Sequence, residues 1–279
     1  MALGLLFAAL CALSKGIDTL INKDVMRQQS AIHHAFYRII FVSPVLLIPA
    51  LFHWQFSTEV IGYLLLYGVL EAINIFCHQT AVKQSNVLHI EIISKSKVIF
   101  TLIVSFVLMI DTLAFWNAIG IVVFMTGTVL TINVQNRHDG EKTGMVGVLL
   151  ELASVLARTF KPFILKHCIK QSLISNETMA FLSMLVAFVV LYVIFRPKLD
   201  FKEVSVKKYF GQAIVVGLGM LLSGWAIMYA NTVIVNAIES TSAIFVMFIS
   251  FLFLKKKYPL LSVTGCLISI VGIVLAIVL

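Results

Sequence analysis

The chain has 279 residues, of which 60% are hydrophobic and 12% charged, with 21 Lys or Arg against 13 Asp or Glu. Soluble domains carry about 25% charged residues, so this composition excludes a soluble globule and points to an integral membrane protein. The net charge of +8 comes without a basic face or base-stacking motif, which argues against nucleic acid as a partner and leaves the lipid bilayer.

A bilayer-crossing helix needs about 20 mainly apolar residues, and that window predicts ten spans. The first, near 2–21, carries Lys15 and Asp18, three apart and able to pair. The second, near 31–52, begins at His33 and His34 and carries Arg38. The third, near 60–82, holds Glu71 and His78. That histidine could line a cavity or relay protons, with a hydrogen-bonded packing role favoured. The fourth, near 86–109, contains Glu91 and Lys95, four apart in the favourable order for pairing. Lys97 lies two residues beyond Lys95, about 200° around the helix. It shares neither that face nor that partner and needs an anion from Glu71, Glu239 or a ligand. The fifth span, near 114–134, carries Gly120 and Gly127, read as points of close helix contact.

A polar stretch follows, and 136–143 is taken as a linker between two units, 1–135 and 144–279. In the sixth span, near 144–166, Glu151, Arg158 and Lys161 share one stripe. Glu151 and Arg158 are about 10 Å apart by helical rise, which predicts no direct pair. Pro162 predicts a weakened or kinked helix. The seventh span, near 178–195, begins beside Asn176-Glu177-Thr178, a chance match to a glycosylation sequon. Trp225 and Tyr229 on the eighth, near 208–230, read as packing rather than a pocket wall. The ninth, near 232–254, holds Glu239, and the tenth, near 258–279, carries Gly265 and Gly272. The four cysteines, Cys11, Cys77, Cys168 and Cys266, lack ligand spacing, so no metal and no cofactor is expected.

The chain repeats itself. Residues 85–132 fall on 230–277 without a gap, pairing Gly120 with Gly265 and Gly127 with Gly272. A shift of 143 pairs Lys15 with Arg158 and Lys23 with Lys166. Five spans per half is an odd number, so the second half is inverted. The predicted fold is an all-α membrane protein of ten transmembrane helices in two inverted five-helix repeats. Such repeats build transporters whose halves rock around a midplane site. Lys23, Lys83, Arg137, Arg196 and Lys255 to Lys257 gather on one side, against Lys166 and Lys170 on the other. The positive-inside rule therefore places both termini outside.

The polar-led helix "SKSKVIFTLIVSFVLMIDTL", the following "NAIGIVVFMTGTVL", the opening "LCALSKGIDTLINK" and Arg38 in "FYRIIFVSPVLL" resemble the EamA-type, ten-span members of the drug/metabolite transporter superfamily. The resemblance implies that fold and transport over essentially the whole chain. Asp111 and Lys256 stand where that family usually bears a glutamate, and Lys97-Val98 replaces its proline. It also implies cytoplasmic termini, opposite to the loop charges. Lys97 further resembles, by position, a lysine of nucleotide-sugar transporters.

Charges inside spans usually face a cavity or a partner helix. Lys97, Arg158, Lys161 and Lys15 are the candidate substrate-binding residues, and Glu71, Glu91 and Glu239 are candidate proton-coupling groups or charge partners. The cations outnumber the available acids, which predicts a secondary transporter of a small anionic or zwitterionic metabolite in the cell membrane. A nucleotide-sugar or organic-phosphate exchanger is the nearest alternative. An intramembrane enzyme would need a nucleophile–base or metal set that the sequence does not offer. No GxxxxGK[ST] motif occurs, which argues against ATP-driven transport. A homodimer is compatible with the sequence.

Overall fold

The computed structural model describes residues 1–26, 29–84, 90, 93–108, 115–136, 145–199, 201, 204–242, 244–245, 248–249 and 260–278. In chain order the helices are α1 (Ala2–Met26), α2 (Ala31–Phe52), α3 (Ile61–Gln84), α4 (Lys97–Leu108), α5 (Phe115–Asn136), α6 (Met145–Lys170), α7 (Asn176–Phe195), α8 (Val206–Tyr229), α9 (Thr232–Glu239) and α10 (Leu260–Val278). Among the described residues no strand forms beyond one isolated antiparallel bridge between Phe56 and Ile174. Segments of α1, α2, α3, α7 and α8 are long and apolar enough to cross a membrane. Large apolar side chains such as Leu51, Phe52, Phe106 and Val193 face outward, as lipid requires.

Helix starts follow the sequence closely. Ser30 caps α2 by accepting a hydrogen bond from the His33 amide, and Ser175 caps α7 by accepting one from Thr178. These serines occupy repeat-equivalent positions. Asn176 is buried and donates to the Leu221 carbonyl at 3.0 Å, so the sequon is part of the helix packing.

The packing obeys a pseudo-two-fold that exchanges each helix with the one five places on. The α1–α8 contact is matched by α6–α3, and α1–α9 by α6–α4, while α2–α7, α4–α9 and α5–α10 map onto themselves. The α5–α10 contact is the most extensive. Gly120 lies against Gly272 and Ala276, and Gly127 against Gly265 and Ser269. The two-fold converts one of these glycine crossings into the other. A Cβ at Gly120, Gly127 or Gly272 would run into partner backbone, so small residues set the approach distance. The close approach lets Ser269 Oγ donate to the Phe124 carbonyl at 3.2 Å and Asn117 Nδ2 to the Ala276 carbonyl at 2.8 Å.

Two spans are interrupted. In the fourth, a turn at Ser96 separates helical residues 93–95 from α4, and the Ser96 amide donates to the Ile93 carbonyl at 3.0 Å. In the ninth, α9 ends at Glu239 and a turn at Ser240 and Thr241 follows, with the Thr241 amide on the Ile238 carbonyl at 2.9 Å. Ser96 and Thr241 are repeat-equivalent. Pro162, expected to weaken or kink the sixth span, lies inside α6, which stays helical through it. The breaks lie where serines and threonines cluster, whose hydroxyls compete with backbone amides for nearby carbonyls and so loosen the helical ladder. Ser240 Oγ donates to the Asn236 carbonyl at 2.8 Å and Ser96 Oγ to the Ile93 carbonyl at 2.6 Å.

Gly127→Leu pushes a side chain into the backbone of α10 and is expected to cost roughly 1–3 kcal/mol as an overpacked contact. Gly62→Ala, where nothing lies within reach of the new methyl, is expected to be neutral or slightly stabilising. Thermal unfolding of the two purified variants checks the contrast.

Candidate functional site

A cavity of about 250 Å³ lies between the two repeats. It is lined from α1, α2, α3, α6, α7, α8, α9 and both interrupted spans. Lys15, Arg38, Lys95, Lys97, Arg158 and Lys161 line it, against Asp18, Glu71 and Glu239. Six cations face three acids. All four predicted substrate-binding residues therefore share one cavity, together with two of the three predicted charge partners. Glu91 lies outside the described residues, as does its predicted pairing with Lys95. Lys95 is buried and donates to Ser242 Oγ of the ninth span at 3.0 Å.

The helix breaks position the central charges. Glu239 is the last residue of α9, and Lys97 the first of α4. Glu239 is 3% exposed. Its carboxylate accepts from Lys15 Nζ at 2.6 Å and from the Ser223 hydroxyl, and Lys97 Nζ lies 3.7 Å away. The pairing of Lys97 with an acid on another helix thus goes to Glu239.

The predicted Lys15–Asp18 pair does not form. Lys15 reaches across to Glu239, and Asp18 takes both terminal nitrogens of Arg38, at 2.7 and 3.3 Å. A guanidinium fork matches a carboxylate better than a lysine on the same helix does, and the Gln212 amide adds a third donor to Asp18 at 2.9 Å. The sixth span also departs from expectation. Arg158 pairs directly with Glu151, two turns away. Side chains on a helix lean toward its N-terminus, so a long arginine closes a gap that rise alone makes too wide. Glu151 is fully buried and also meets His78 Nδ1 at 2.8 Å. His78 is thus hydrogen-bonded, and it also lines the cavity. Lys161 pairs with Glu71 of α3, and its ammonium lies 5.0 Å from the centre of the Tyr67 ring, a cation–π contact. The Nε of Arg158 is buried without a hydrogen-bond partner among the described residues.

Trp225 and Tyr229 do not line the cavity. Trp225 packs on Phe7 with ring centres 5.6 Å apart, and its Nε1 donates to Glu177. The four cysteines are free and buried. Among the described residues no group of three or more His, Cys, Asp or Glu is placed to hold a metal ion.

A polar network at one end of the cavity escaped the sequence reading. Fully buried His34 meets Tyr209 Oη at 2.9 Å and Asn22 Oδ1 at 2.6 Å. Asn22 is also joined to Gln79 and Gln212, and Gln212 to Asp18. Asn22 lies four residues after Asp18, on the same helix face. That spacing was the available signal, since an amide one turn beyond an intramembrane acid calls for polar partners on neighbouring helices.

The chain matches the EamA-like transporter family twice, over residues 2–133 and 145–278. No curated protein sequence matches it. One solved crystal structure, described only as that of a protein, superposes with a TM-score of 0.76, covering 98% of this chain and 98% of that chain at 12% identity. At that identity the likeness is one of fold.

Removing one partner from a buried ion pair costs about 3–5 kcal/mol. Arg158→Ala, which strips the buried Glu151 of its guanidinium, is expected to destabilise by that order, and adding Glu151→Gln to recover most of the loss. Unfolding midpoints of the single and double variants in denaturing detergent measure both effects. An unchanged midpoint for Arg158→Ala would show that the pair carries no stability.

Proposed function

The chain belongs to the EamA-like transporter family, and on that premise we propose that it is a secondary transporter of a small metabolite bearing a carboxylate or phosphate, in the cell membrane. The observation that carries this reading is the charge of the cavity: Lys15, Lys97, Arg158 and Lys161 converge there with fewer acids than cations around them. Surplus positive charge in a site of low dielectric favours an anion strongly. The buried, unpartnered Nε of Arg158 supplies a donor suited to one.

Size narrows the class. A cavity of about 250 Å³ lies below the usual range for drug-sized ligands, roughly 300–1,000 Å³. Tyr67 is the aromatic ring in its lining apart from the His78 imidazole. Both features weigh against a nucleotide sugar, which needs room and a stacking surface. A short carboxylate or a small organic phosphate fits the space and the charge.

The architecture supports alternating access as the mode of transport. Inverted repeats with interrupted helices at equivalent depth place a substrate site between units that rock against one another. The turns at Ser96 and Thr241 meet that description, and Lys97 and Glu239 flank them. In this reading Lys97 and Lys15 hold the substrate from one repeat, and Arg158 and Lys161 from the other.

Two measurements test the reading. A thermal-stabilisation screen of the purified protein, with anionic and cationic metabolites side by side, is expected to select anions. Preferential stabilisation by polyamines would sink the proposal. Charge reversal at Lys97 or Arg158 is expected to abolish uptake in proteoliposomes with insertion intact, and normal transport by both variants would remove them from the site.

A further inference from the structure

Glu239 occupies the seat that an anionic substrate would need. Lys15 from α1 holds it at 2.6 Å and Lys97 from α4 lies at 3.7 Å, and both lysines line the cavity. Its other near neighbours are neutral: the Ser223 hydroxyl of α8 and the Cys11 thiol of α1, whose Sγ is 3.5 Å away. From α3, Tyr67 lines the same cavity, and from α6 so do Lys161 and Arg158. The contact between α9 and α10 is apolar, with Val233 and Ala237 of α9 against Ile273 and Ala276 of α10.

Glu239 also sits at the C-terminal end of α9, where the helix dipole is negative and disfavours a carboxylate. The two lysine ammoniums lie against it and offset that end of the dipole. Glu71 and Glu151 differ. Glu71 lies within α3 rather than at a helix end and pairs with Lys161, and Glu151 lies outside the cavity lining, fixed by Arg158 and His78.

We propose that Glu239 is a resident anion that the transported anion displaces, and that the displaced carboxylate takes up one proton, so that substrate and proton cross together. The proposal rests on the anion reading above. An anion seated on Lys15 and Lys97 competes with Glu239 for both ammoniums, and in this proposal its binding leaves Glu239 buried without its cations. A buried carboxylate in that position is neutralised by a proton from water. The cluster then holds two lysines and one anion both empty and loaded, if the substrate is a monoanion. Its net charge is unchanged, and the rocking step moves the same charge in either state.

The test uses the purified protein with pyruvate, succinate, glutamate, glycerol phosphate and inorganic phosphate as probes of binding, and protons are counted above about pH 7 on pyruvate and glutamate, whose carboxylates do not titrate there. Thermal stabilisation identifies which of them bind, and a pH indicator in weakly buffered solution counts protons taken up on binding. Wild-type protein is expected to take up one proton for each probe bound, and its affinity to fall up to roughly tenfold per pH unit as pH rises. Glu239→Gln is expected to bind the same probe more tightly, with no proton uptake and a flat pH profile. Binding to wild type without proton uptake overturns the proposal, and that measurement needs no variant to fold. Uptake that persists in Glu239→Gln also overturns it, by assigning the proton to another group. Failure of every probe to stabilise wild type overturns the anion reading itself, and appears in the melting assay before any proton is counted.

Discussion

A charge in the interior of this protein needs a polar or charged partner, because hydrocarbon offers nothing to solvate it. A charged side chain at the centre of a spanning helix costs roughly 2.5–3.5 kcal/mol on insertion scales. The pairs that offset this cost are also the ties between helices. Lys15–Glu239 joins α1 to α9, Lys97 extends that tie to α4, Lys161–Glu71 joins α6 to α3, and Arg38–Asp18 joins α2 to α1. The helix breaks belong to the same constraint. They bring Glu239 and Lys97 to helix ends, where a change of chain direction places both charges against one cavity.

The frame and the site have different symmetry. The frame is close to two-fold: glycines cross glycines between α5 and α10, and serines cap α2 and α7 at equivalent positions. The charges depart from that symmetry. Lys15 has a cationic counterpart in Arg158, but Lys97 corresponds to Ser242 and Glu239 to Ser94. Backbone approach distances tolerate little change, because a single Cβ at a glycine crossing meets backbone. Cavity residues are free of that restriction. Divergence of the two copies there turns a symmetric scaffold into a site with a net charge and a direction of polarity.

Much of the fold was legible in the chain. Span lengths, the register of the repeat and the glycine contacts all rest on local periodicity and on the bilayer's dimensions. Four of the six cations that line the cavity were legible as its candidates too, since an intramembrane charge is conspicuous. Their partners were not. Lys15 and Asp18 are near in sequence, yet each finds a better-placed partner on another helix. Arg158 and Glu151 look too far apart until the lean of side chains along a helix is counted. The network from His34 through Asn22 to Gln212 joins three helices, and sequence separation conceals it.

The amino-acid sequence by itself determined a ten-span membrane protein in two related halves, and which residues carry charge into its interior. Hydrophobic length, composition and repeat spacing are properties of the chain read along its own axis, so no tertiary contact is needed to see them. Only the tertiary structure decided where the helices break and which acid answers which base. Those outcomes depend on distances of a few ångströms between residues as many as 224 positions apart, and electrostatic pairing in a low-dielectric interior is decided at that range.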